Sequence, residues 1–200
     1  YRENAYQSVS FDNDGTGYPG SQMGAIALIR QTLSDADWQV ETRKSGEFKD
    51  AANCLDTLVV GTGSPYYLFD CGNELEVLRA FKVAAEFQRP AAILGSGTEY
   101  KRFLIVRNTA LNAGFVQDLQ PILGDEVVGI DPLPVEVRVS APVILPLNFP
   151  AAPDVSSPGK VEQVDLRELM SWEQAPTNPR RFAAAEIPFA LTTHRLRNRN

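Results

Sequence analysis

Apolar and polar positions along this chain follow two rhythms, and glycine or proline marks most changes between them. Met23, Ile26, Ala27, Ile29, Arg30 and Leu33 recur at helical spacing after the turn Tyr18-Pro19-Gly20, predicting a helix that runs to about Trp38 with Ser21 as its N-cap. Residues 1–19 read as a polar loop or arm, and 39–49 as a charged, exposed stretch. In 50–63, Ala52, Leu55, Leu58 and Val59 fit a helix, although Thr57-Leu58-Val59-Val60 alone suits a strand; Gly61 and Gly63 end it and Pro65 bars its continuation. The stretch 66–70 predicts a short buried strand. An amphipathic helix follows over 73–87, with Asn73 as cap, Glu74 and Glu76 in its first turn, and Leu75, Leu78, Ala80, Phe81, Ala84 and Ala85 as its apolar side.

Ala91 to Leu94 predicts a second buried strand, so 66–94 is one strand–helix–strand unit, which implies a parallel pair. A third strand is expected in 143–149, interrupted by Pro146, and a fourth in 187–193. Two helices split by Pro176, at 166–175 and 179–186, lie between them. The span 104–142 reads as irregular and insertion-like, with an edge strand or hairpin at 135–139. The pattern predicts a single α/β domain or fragment over 1–200, built of parallel strand–helix units. Such units form either an open sheet or part of a barrel, and periodicity does not separate the two.

Composition narrows the function classes. Apolar residues make up 44% and charged residues 22% of the 200 residues, an ordinary globular balance with enough length for a sizeable core. The net charge of −6 argues against a nucleic-acid partner, which needs a basic surface. The one basic cluster, Arg195, Arg197 and Arg199, reads as a solvated chain end. No apolar run approaches the roughly 18 residues of a membrane span, and the opening Tyr1-Arg2-Glu3-Asn4 has no signal-peptide pattern. Two cysteines, Cys54 and Cys71, are too few for a disulfide framework or a zinc ribbon and read as buried thiols. A single histidine, His194, falls short of the imidazoles that zinc hydrolase sites draw from one chain.

Candidate chemistry gathers where strands end. Gly95-Ser96-Gly97-Thr98 follows the second strand, and backbone amides at such a turn can bind an anion, which makes Gly95, Ser96, Gly97, Thr98 and Tyr100 candidate ligand contacts. The turn lacks the third glycine of a dinucleotide fingerprint and the Gly-Lys-Ser/Thr end of a P-loop, and a plain strand-to-helix turn with Thr98 as N-cap explains the same residues. Glu99 is a candidate general acid or base, with a helix first-turn carboxylate as the alternative. His194, after the fourth strand and beside Thr192 and Thr193, is a candidate metal ligand or proton-transfer residue, or an exposed histidine. Asp70, ending the first strand, reads as a ligand or a capping acid. No Gly-x-Ser-x-Gly elbow occurs.

Five collinear phrases, at 18–38, 68–87, 92–103, 143–155 and 165–193, together resemble bacterial amidohydrolase-related proteins of the imidazolonepropionase-like kind. The resemblance covers about two thirds of the chain and rests on the combination of phrases such as Trp172-Glu173-Gln174-Ala175-Pro176 and Ile187-Pro188-Phe189-Ala190-Leu191-Thr192-Thr193. It implies a metal-dependent (β/α)8 TIM-barrel-like amidohydrolase fold, incomplete in this chain, that hydrolyses non-peptide C–N bonds with zinc or another divalent metal. The implied ligands are a His-x-His pair, a lysine or acid, two further histidines and a last-strand aspartate. This chain has no His-x-His, carries Gly95-Ser96-Gly97 at the second strand tip and Thr192-Thr193-His194 after the last strand, so no implied ligand transfers to it. The resemblance therefore implies either a hydrolase segment without a complete metal site or a non-catalytic module. The expected partner is a second amidohydrolase domain or another copy of the chain, and the expected setting is export.

Overall fold

The computed structural model of the chain describes residues 6–13, 17–46, 55, 58, 67–112, 115–117, 137–139, 141–194 and 196, with side-chain surroundings left aside for 111–117 and 137–139. In chain order the elements are β1 (Gln7–Ser10), α1 (Gln22–Ser45), β2 (Tyr67–Asp70), α2 (Glu74–Glu86), β3 (Ala91–Leu94), a 3-10 turn (Glu99–Arg102), α3 (Phe103–Asn112), β4 (Phe115–Gln117) and β5 (Val137–Val139). Then come β6 (Val143–Pro146), α4 (Pro158–Val161), α5 (Leu166–Gln174), a 3-10 turn (Ala175–Thr177), α6 (Asn178–Ala184) and β7 (Phe189–Thr192).

Strand–helix units alternate around one parallel sheet of five strands, in the order β1-β2-β3-β6-β7. Each strand of this sheet lies beside the preceding one in the chain, so the order never reverses. Strand–crossover–strand connections are right-handed in parallel sheets, so crossovers that all step the same way fall on the same face. Burial agrees. Val9, Phe69, Ile93, Val143 and Phe189 stand in register across the sheet. They join one apolar cluster with Leu33 of α1, Val77 and Phe81 of α2, Val106 and Ala110 of α3, and Phe182 of α6. The alternate positions Ser8, Leu68, Ala92, Ile144 and Ala190 point to the other face, where they are half-buried or exposed.

Several sequence expectations needed correction. The predicted N-terminal arm contains β1, which adds a fifth parallel strand; its Gln7-Ser8-Val9-Ser10 is too polar to announce itself, and Phe11 just beyond it stacks on Phe69 at 6.0 Å. Helix α1 continues through the charged stretch to Ser45, where Arg43 and Lys44 suit its C-terminal end and Gly46 closes it at φ +74°. Ser21 is its cap, accepting from the Gly24 amide at 3.1 Å. The buried stripe of α2 is Val77, Ala80, Phe81 and Ala84 with Val83, so Leu75, 40% exposed, and Ala85 of the predicted apolar side lie off the buried face. Of the span 104–142, the described residues open inside α3 and hold the antiparallel pair β4–β5, while 113–114, 118–136 and 140 lie outside the described residues. Of the 135–139 edge strand, the last three residues are β5, and 135–136 lie outside the described residues. The expected helix over 50–63 also falls outside them, apart from single 3-10 positions at Leu55 and Leu58. Pro146 ends β6 and does not break it, and Pro176 sits in the 3-10 turn between α5 and α6. Among the described residues no helix is long and apolar enough to cross a membrane.

At the opposite end of the sheet from the strand tips, Tyr67 opens β2 with its hydroxyl donating to the Leu58 carbonyl. Beside it, nearly buried Arg89 pairs with Asp37 of α1. Burial raises the Tyr67 phenol above its ordinary 10.0, and the neighbouring Arg89 charge opposes the shift.

Two outcomes follow from this packing. Phe81→Ala should lower the unfolding free energy by about 3–5 kcal/mol, whereas Leu75→Ala should cost under about 1 kcal/mol; urea titrations of both variants check the corrected phase of α2. Because the folded Tyr67 pKa is raised, its contribution to stability is intact below the unfolded pKa and is lost as pH rises through the folded one. An ultraviolet tyrosinate titration of the folded protein should therefore show a late-ionising phenol that Tyr67→Phe removes.

Candidate functional site

In parallel α/β sheets, ligands and chemistry gather outside the carboxyl ends of the strands. At the end of central strand β3 the chain stays in the sheet for one more residue, with the Gly95 amide donating to the Ile144 carbonyl at 2.8 Å. Gly97 then turns through φ +84°, a left-handed conformation that glycine adopts without strain. The turn aims two backbone amides inward. Ser96 and Gly97 donate to Glu99 Oε1 at 2.6 and 3.2 Å, and the Ser96 hydroxyl adds a third bond at 3.0 Å. Asn178, at the start of α6, donates from Nδ2 to the other carboxylate oxygen at 2.7 Å. Glu99 is fully buried, and a Cβ on Gly95 would stand 2.7 Å from its Oε1. The position therefore requires glycine.

This turn has the form of an anion-binding nest, and its anion is the chain's own carboxylate. Gly95, Ser96, Gly97, Thr98 and Glu99 are brought together as expected, but in a closed hydrogen-bonded unit. Thr98 makes no side-chain cap bond to the helix that follows. Its hydroxyl donates to Glu74 at 2.8 Å and its amide to Ser96 Oγ at 3.1 Å, while Glu99 satisfies the amides ahead of the helix. Tyr100 is half-buried, and its carbonyl accepts from Arg181 Nη1 at 3.4 Å. Arg181 also donates to Thr177 and Gln174, so the α5–α6 segment is fastened to the β3 tip through both Asn178 and Arg181.

The β2 tip repeats the device. Gly72 donates its amide to Glu76 Oε2 at 2.6 Å, and Glu76 Oε1 accepts from Asn73 and from Gln22 of α1, both at 2.7 Å. Gln22 in turn accepts from Arg79 at 2.6 Å. Asn73 caps α2 as expected, accepting from the Leu75 and Glu76 amides at 3.0 Å. Both tips thus place a glutamate four residues after a glycine and bury it, Glu76 being 5% exposed. Sequence reading missed the role of Glu76, although Asn73-x-x-Glu76 resembles a capping box. It also missed Asn178, which no local pattern connects to Glu99.

His194 follows β7, two strands across from β3 and so about 10 Å along the sheet. It is exposed, and its backbone amide donates to Thr192 Oγ1 at 3.1 Å. Asp70 is half-buried at the end of β2, and Cys71 beyond it is a buried thiol; Cys54 lies outside the described residues. The divalent metal that the sequence resemblance implies does not fit this donor set. The β3 tip offers glycine and serine, and its one carboxylate already accepts four bonds. Among the described residues, no three His, Cys, Asp or Glu side chains group closely enough to hold a metal ion. Glu99, buried and saturated, acts here as a strut of the turn; proton transfer to a substrate would require the turn to open.

Glu99→Ala strands the Ser96, Gly97 and Asn178 donors and should destabilise the protein by about 3 kcal/mol or more. Gly95→Ala pushes a methyl group into the carboxylate and should cost about 1–3 kcal/mol. In a double-mutant cycle read by urea denaturation, Glu99→Ala and Asn178→Ala should couple by about 0.5–3 kcal/mol. Additive effects would show that the bond does not tie α6 to the β3 tip.

No family model matches the chain, and neither a curated protein nor a solved structure matches it.

Proposed function

We propose that the chain is a wall segment of an amidohydrolase-like (β/α)8 barrel, by kinship a hydrolase of non-peptide C–N bonds, without a working metal site of its own. The observation that carries the barrel reading is the unreversed order β1-β2-β3-β6-β7 with helices packed on one face. A doubly wound sheet reverses its order and takes helices on both faces, whereas a barrel keeps stepping in one direction and reserves the other face for its interior. The amidohydrolase assignment rests on the collinear phrases of the sequence. The missing site rests on the donor set at the strand ends, where Glu76 and Glu99 bind their own turns.

A second reading is favoured by a separate observation. Among the described residues the sheet leaves β1 and β7 each without a strand on one edge, and Leu68, Ala92 and Ile144 lie outside the apolar cluster. Such edges and faces call for cover. On this reading the chain is a non-catalytic module that supports an active partner domain or assembles with further copies.

Metal analysis and activity assay of the purified protein test the main reading together. The expected outcome is sub-stoichiometric zinc, manganese and cobalt, and no hydrolysis of cyclic amides when these metals are added. One metal per chain with amide hydrolysis, both abolished by His194→Ala, would overturn it.

A further inference from the structure

No further inference is drawn: the strongest candidate, the sheet face away from the apolar cluster with Leu68, Ala92, Ile144 and Ala190, belongs to the barrel reading already given, and nothing among the described residues shows what covers it.

Discussion

The handedness of strand–helix–strand connections governs this molecule more than any single contact. Five parallel strands follow one another across the sheet without a reversal. Once each crossover is right-handed, the helices that pack on the sheet between its strands land on the same side. The apolar cluster is the consequence: α1, α2, α3 and α6 all contribute to it, and the strands contribute every second residue. A four-residue strand offers only two side chains to each face. The core therefore draws on residues just beyond the strands as well, such as Phe11, Cys71, Ala141 and Ile187.

The same geometry explains why the strand tips look as they do. Each parallel strand must hand the chain to a helix, and the first amides of that helix need acceptors. Asn73 accepts the first amides of α2, and at both β2 and β3 a buried glutamate takes up the turn amides just ahead of the helix, four residues after a glycine that leaves room for its carboxylate. An external oxyanion would have to compete with a tethered carboxylate that already accepts two amides and two side-chain groups at β3. The tips of β2 and β3 are here closed on themselves. The Glu99–Asn178 bond extends that closure from the middle of the sheet to the last strand–helix unit.

Much of the fold was legible because local pattern and tertiary role agreed. Strands β2 and β3 are apolar and bounded by turn residues, and α2 announces itself through Asn73 and its acidic first turn. β1 was not legible: an edge strand with one half-buried valine among polar residues looks like a loop, and only pairing with β2 makes it a strand. The end of α1 was missed because its charges were read as a break, although Gly46 gave the better signal. The residues of the β3 turn were legible as a group from Gly95 to Glu99. Their arrangement was not, because it depends on a carboxylate folding back onto its own turn and on Asn178, which lies 79 residues away.

An internal carboxylate in an amide nest also bears on what evolution of a metal enzyme's scaffold would leave behind. A strand tip that carries a metal ligand holds a polar side chain in place through the metal and its neighbours. Without a ligand, the tip still has helix amides to satisfy and a buried turn to hold. Glycine followed by glutamate holds that turn with residues from one stretch of chain, and it does so at two adjacent strands. Glu99 and Glu76 therefore hold two adjacent strand tips through bonds made within the chain itself. On the sheet face away from the apolar cluster, Leu68, Ala92 and Ile144 stay half-buried.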